Sequence, residues 1–276
     1  MNSPPLPRSL RLTDRHFVAV SGPDAAEFLN GLVSNDVTRA SPNTLVYAAL
    51  LTPQGKYLFD FFISQPKPGS FLLDLDAPRA SELVRRLSMY KLRSKVTIAD
   101  VSADWAVILF DSDPGLPDAA PDPRHSALGF RRIAPSSDIT ADTWDFADYR
   151  HRLLDHAIPD HGRDLIVDKT FLMDANFDVI HGVDFKKGCY VGQELTARMK
   201  HRASNPRRLV TVTFKGPSIA PGTPILADGK EIGQMLSGIA GKALAVLRMD
   251  RWQDAKANGI GLSANDVSLT VMEASS

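Results

Sequence analysis

The distribution of apolar residues changes at Asn205-Pro206, and that change limits the fold more than any other feature of the chain. Upstream, apolar positions recur at both helical and alternating spacings. Downstream they come only in short runs: Arg208–Phe214, Pro224–Leu226, Ile232–Ser237, Ala243–Arg248 and Val267–Met272. Asp228-Gly229 between the second and third runs suits a tight hairpin, because both residues tolerate positive φ. Short strands at this spacing predict a small β-barrel or sandwich over 206–276. A chain of 276 residues buries about 75% of its unfolded surface, enough for a second core in 1–205.

That first part mixes periods, which predicts an α+β body. Phe17–Val20 is a short strand, and Pro23-Asp24 opens a helix with Ala25, Phe28, Leu29 and Leu32 on its apolar face and a stop at Gly31. Val46–Leu51 and Tyr57–Ser64 flank Thr52–Lys56 as a hairpin, followed by a strand at Phe71–Leu75. Leu83, Val84, Leu87 and Tyr90 predict a half-buried helix over 78–90, and Lys95–Ala99 and Trp105–Phe110 return to strand. Residues 111–126 carry prolines at 114, 117, 121 and 123 and predict a surface break between two intertwined subdomains of the body. Helices are expected over Asp142–His156 and from Gly192 onward.

Lys+Arg 32 against Asp+Glu 32 leaves no net charge, so attraction to an anion needs a local patch. The densest basic run is Arg198, Lys200, His201, Arg202, Arg207 and Arg208, with no aromatic between 191 and 213, which argues against nucleic acid. A single cysteine excludes an internal disulfide and any metal or cluster site of four cysteines from one chain. The seven histidines show no ligand spacing. No apolar run reaches the ~18 residues of a membrane span, and the first residues lack a secretory core, so a cytoplasmic monomer is the expectation.

That cysteine sits in Lys186-Lys187-Gly188-Cys189-Tyr190-Val191-Gly192-Gln193-Glu194, between two glycines and before a helix. Glycine permits close backbone approach or positive φ, and a cation or helix N-terminus favours thiolate. Cys189 is therefore either an activated thiol assisted by Lys187 or an inert residue beside a turn. Asp60, within Leu58-Phe59-Asp60-Phe61-Phe62, alternates onto one face with Leu58 and Phe62. An acid there is either paired, turned to a ligand, or on an edge facing water. Asn35-Asp36 after the first helix is either a cap or part of a pocket.

Lys187-Gly188-Cys189-Tyr190-x-Gly192-Gln193-Glu194 resembles the defining motif of the YgfZ-type folate-binding proteins, iron–sulfur cluster assembly and repair factors related to the aminomethyltransferases. Gly22-x-Asp24-Ala25-x-x-Phe28-Leu29, Ser34–Val37 and Leu87-x-x-Tyr90-x-Leu92-Arg93-x-Lys95 carry the likeness through the first half. Leu172, Asp174 and Ala157 depart from it, standing where the family usually has Pro, Glu and Gly.

The resemblance implies an aminomethyltransferase-like folate-binding fold with a C-terminal β-barrel. It also implies tetrahydrofolate, or a one-carbon derivative, as cofactor, and iron–sulfur client proteins and assembly machinery as partners. Cys189 and Lys187 would act on a sulfur species, a cluster intermediate or a client. Asp60, Asn35, Tyr190, Gln193, Glu194, Arg198 and Arg202 would surround the folate, with Asp60 on the pterin and the arginines on its glutamate tail. A folate-dependent aminomethyl or one-carbon transferase is the alternative.

Overall fold

The computed structural model describes residues 7–138, 142–160, 162–201 and 207–272. Its first part opens with β1 (Ser9–Leu12), β2 (Arg15–Ser21) and α1 (Ala25–Asn30), then β3 (Val46–Leu51), β4 (Tyr57–Lys67) and β5 (Ser70–Asp76). Next come α2 (Ala80–Lys91), β6 (Thr97–Asp100), β7 (Trp105–Phe110), β8 (Ala119–Pro121) and β9 (Phe130–Pro135). α3 (Phe146–Asp155) and α4 (Gln193–His201) complete that part. Beyond it lie β10 (Arg207–Thr213), β11 (Pro224–Ala227), β12 (Lys230–Ile239), β13 (Lys242–Arg248), α5 (Met249–Ala257), β14 (Leu262–Ala264) and β15 (Val267–Val271).

The strands form an antiparallel five-stranded sheet, β3-β4-β5-β2-β6, a four-stranded sheet, β1-β7-β9-β8, and a closed barrel, β10-β13-β12-β11-β14-β15. The fold is thus α+β with a C-terminal β-barrel, as the pattern change at 205–206 predicts. Closure leaves the barrel no unpaired edge, which short strands otherwise expose.

β3 and β4 are buried on both faces, so they read as near-continuous apolar runs. One face packs Phe59, Phe61 and Phe71 under α1 and α2 through Leu29, Leu83 and Leu87. The other packs Tyr47, Leu51 and Phe62 against Val107 of β7, Leu153 of α3 and the loop residues Phe177 and Tyr190. The barrel keeps its own core around Ile225, Met235, Ala245 and Leu247. It meets the body at Leu154 with Leu209, Leu236 and Leu244, and through Arg208 Nη1, which donates to Asp178 Oδ1 at 2.6 Å.

One expectation fails locally. The break at 111–126 does not stay on the surface: Asp122 and Arg124 turn inward, with Arg124 1% exposed and donating to Asp122 and to the Tyr149 hydroxyl. Each charge finds its partner two residues away, which lets both leave water. α1 does stop at Gly31 as expected, with that residue at φ −70°. β8, β9, α5 and β14 have no counterpart among the expected elements. Ala157 adopts φ +49°, so the position where the family usually has glycine is one whose backbone favours it.

Candidate functional site

The cysteine loop lies across the end of α1. Lys187 reaches beneath it, and its Nζ donates to the carbonyls of Asn30, Val33 and Asn35 at 2.8, 2.6 and 3.0 Å. α1 is under two turns long; the Glu27 and Leu29 carbonyls accept from the N–H groups of Gly31 and Val33, and the Asn30 carbonyl at its end accepts from Lys187. A lysine at a helix C-terminus satisfies such groups and favours the dipole. Burial pulls the Lys187 ammonium down to about 8, against the opposing charges of Asp36 and Asp184. Lys187 also lies 5.1 Å from the centroid of the Tyr190 ring. Its ammonium is therefore engaged with the backbone below the loop, and not reserved for the thiol as the sequence suggests.

Tyr190 is 7% exposed in the core under the five-stranded sheet, so it anchors the loop and does not face a ligand. Burial raises its hydroxyl to about 12. Gly192 has φ +81°, and a Cβ there would stand 2.5 Å from the Thr52 carbonyl oxygen and 2.9 Å from the Leu51 Cβ. It lets the loop touch the β3–β4 turn. Gly188 differs: a Cβ on it would meet nothing within 4 Å, so close packing does not require this glycine. The Gln193 Oε1 accepts from the Tyr190 N–H at 3.3 Å and closes the start of α4.

Between these anchors Cys189 is exposed. It lines an open hollow of about 510 Å³ with Asn30, Asp36, Thr38, Lys187 and Gly188. Burial would raise the Asp36 carboxyl, but hydrogen bonds from the Thr38 hydroxyl and N–H and from Asn30 outweigh it and hold it below the usual carboxylate range. Sequence reasoning names Asn35-Asp36 but misses Asn30 and Thr38. The only signal for them is adjacency in the Asn30–Thr38 segment.

Asn35 is structural in its geometry. Its Nδ2 donates to the carbonyls of Tyr47 and His181 at 2.8 and 2.7 Å, and its Oδ1 accepts from Arg39 at 2.5 Å. Arg39 continues to Asp184 at 3.0 Å, and these residues line a second hollow of about 300 Å³ with Tyr47 and His181.

Asp60 lies elsewhere, on β4 between β3 and β5, and is 5% exposed. Its Oδ2 accepts from the Tyr47 hydroxyl at 2.8 Å and its Oδ1 from the Tyr57 hydroxyl at 2.6 Å. Burial and the Asp60 charge push both phenols well above their usual value. Two phenols on one carboxylate are a closed arrangement, which corrects the expectation of an acid open to a pterin. Below it, Asp74 holds Arg15 and Arg131 at 2.6 and 2.7 Å. The hollow lined by Arg15, Arg131, Tyr149 and Asp160 is about 20 Å³, one water's worth.

The basic run does not gather at this interior. Arg198 pairs with Glu194 at 2.5 Å on the exposed face of α4, one helical turn apart. Arg208 pairs with Asp178, and Arg202 lies outside the described residues. Among the described residues no group of acidic, histidine or cysteine side chains could hold a metal ion.

Residues 13–110 match the family model of the GCVT N-terminal domain, and residues 207–275 match that of the CAF17 C-terminal β-barrel domain. The iron–sulfur cluster assembly factor IBA57 of Homo sapiens is 32% identical over 277 residues, covering 86% of this chain and 76% of that protein. An IBA57 homologue of Mycosarcoma maydis is 33% identical over 303 residues, covering 89% and 75%. This chain belongs to the IBA57 family.

Aminomethyltransferase T of the glycine cleavage system from Bartonella henselae superposes with a TM-score of 0.72 over 97% of this chain and 86% of its own, at 16% identity. At that identity the match shows the fold alone. Both IBA57 relatives are named mitochondrial, which overturns the cytoplasmic expectation and points to the mitochondrion. That expectation leaned on features the first residues lack, and a missing feature carries no address. No helix among the described residues is long and apolar enough to cross a membrane.

Proposed function

We propose that this IBA57-family chain supports iron–sulfur cluster assembly through Cys189, presented to other proteins by a loop fixed from beneath. The observation that carries the assignment is an exposed thiol on a loop pinned by Lys187, Tyr190 and Gly192. A thiolate is a soft ligand and a nucleophile toward sulfur. One thiol per chain does not complete the four-ligand set of a cluster, so any cluster it touches needs donors from a partner. A hollow this open suits a macromolecular visitor. The partners are accordingly iron–sulfur clients and the assembly machinery, matching what the relatives are named for.

The finer part of the proposal is tetrahydrofolate, supported by the shared aminomethyltransferase fold. The residues around Asp60 do not present it to folate as packed, because each carboxylate oxygen accepts a phenol hydroxyl and the side chain is 5% exposed. The transferase alternative needs Asp60 open to its substrate, which this packing does not offer. Calorimetric titration with tetrahydrofolate tests this part. Binding that Asp60→Asn removes would mean that the tyrosine pair opens for the ligand; absence of heat leaves the cluster purely structural.

Cys189→Ser tests the main assignment. In cells lacking the protein it should fail to restore iron–sulfur enzyme activity while folding normally. Full rescue by the serine variant would remove Cys189 from the function.

A further inference from the structure

A second basic stretch lies away from the cysteine in sequence. Between residues 79 and 95, Arg79, Arg85, Arg86, Lys91, Arg93 and Lys95 stand against one acid, Glu82, which is paired with Arg79 at 3.0 Å. Arg85, Lys91, Arg93 and Lys95 are exposed, in a chain whose overall charge is zero. Two large apolar side chains protrude among them, Met89 at 62% and Leu92 at 89% exposure. Leu92 is also strained: as the residue after α2 it holds φ +40°, where glycine or asparagine would be the easier choice. Nothing in the packing of Leu92 accounts for a leucine there, since its side chain is in solvent.

The turn is nonetheless held firmly. Gly22 has φ +134°, and a Cβ on it would stand 2.2 Å from the Lys95 carbonyl oxygen. The Asp24 Oδ2 accepts from the Lys95 N–H at 2.6 Å. Both contacts lie at the start of α1, and the far end of α1 supplies the Asn30 carbonyl to Lys187. Six helical residues span about 9 Å, so a partner seated on the turn is one short helix from the Cys189 hollow.

We infer that the α2 C-terminus and the following turn, residues 85–95, form a docking surface for an acidic face of a partner protein, with Leu92 as its apolar anchor and Arg85, Lys91 and Arg93 as its charged rim. Arginine and methionine are enriched in protein–protein interfaces, and Arg85, Met89 and Arg93 all stand exposed in this stretch beside Leu92. Cations spread from 85 to 95 over more than about 10 Å exceed what a small anion can engage. A lipid surface fits less well, because the apolar face of α2, Leu83 and Leu87, is already buried in the core. This inference rests on the assembly-factor reading and names the chemistry of its partner.

Leu92→Gly is the decisive variant, because it removes the anchor while relieving φ strain, so the fold should be kept. Combined with Arg93→Glu it should cut rescue of iron–sulfur enzyme activity at least fivefold in cells lacking the protein, with the Cys189 alkylation rate unchanged. A photo-crosslinking residue at position 89 of the full chain should then label a client or assembly protein on an Asp/Glu-rich peptide, and the label should vanish in the double variant. Undiminished rescue by the double variant, or a label on a peptide without acidic residues, overturns the inference. So does retention on phosphatidylglycerol vesicles or a single-stranded RNA that the double variant loses. If Cys189→Ser rescues fully, the role of the thiol fails by itself; if only the double variant rescues, the docking surface alone fails.

Discussion

The Asp60 cluster and the Cys189 loop are both polar features in an apolar setting, yet they are built in opposite ways. Around Asp60 every contact points inward: two tyrosine hydroxyls donate to the carboxylate, and Asp74 below clasps Arg15 and Arg131. Around Cys189 the supports point inward and the reactive atom points out. Buried polar groups demand partners, and once all are supplied little capacity remains for a ligand. The loop spends its polar contacts on position, through Lys187 and Gln193, and leaves the thiol uncommitted.

The contrast predicts a graded response to mutation. Asp74→Ala strands two buried guanidinium groups and should cost about 3–5 kcal/mol, the range for breaking a buried ion pair from one side. Chemical denaturation would measure it, and a loss below 1 kcal/mol would mean that water reaches this interior. Gly192→Ala should cost about 1–3 kcal/mol from strain at φ +81° and the clash with Thr52. Unlike Asp74→Ala, it should also displace the thiol, seen as an altered alkylation rate.

Lys187→Met leaves the carbonyls of Asn30, Val33 and Asn35 without their donor and should cost about 1–3 kcal/mol. Its pH dependence sharpens the comparison. The folded ammonium titrates at about 8 and the unfolded one near 10.4, so between these values the unfolded chain holds more protons. Stability should therefore rise with pH across that window in the wild type relative to Lys187→Met. Opposite slopes in paired denaturation curves would show that the ammonium is not depressed. Ala157→Gly, at φ +49°, is the smallest change: a gain of up to about 1 kcal/mol in stability with both regions untouched.

Part of this contrast is legible from residue order. The alternation around Asp60 puts it on one face with Leu58 and Phe62; the structure keeps Phe62 in the core with Tyr47 but places Leu58 in the opposite one. The partners are not legible, because Tyr47 comes from the neighbouring strand and Arg124 from a segment whose prolines and aspartates suggest a surface loop. The basic run misleads in the same way: Arg198 is absorbed by Glu194 and Arg208 by Asp178. At the end of α2, Arg85, Lys91, Arg93 and Lys95 are exposed together, which counting charge along a helix does not reveal.

By itself the sequence determines the α+β body, the barrel beyond residue 206 and the glycine-flanked cysteine before α4. These are local matters of period, turn chemistry and composition, which act over a few residues and survive in the linear order. Only the tertiary structure decides that Asp60 is enclosed by two phenols, that Lys187 braces the end of α1, and that Leu92 stands strained in solvent. Each depends on groups from separate elements sharing one volume: Tyr47 of β3 beside Asp60 of β4 in the first case, 187 and 30–35 in the second, 95 and 22–24 in the third. Burial, partner and strain are properties of that shared volume, fixed when the elements pack.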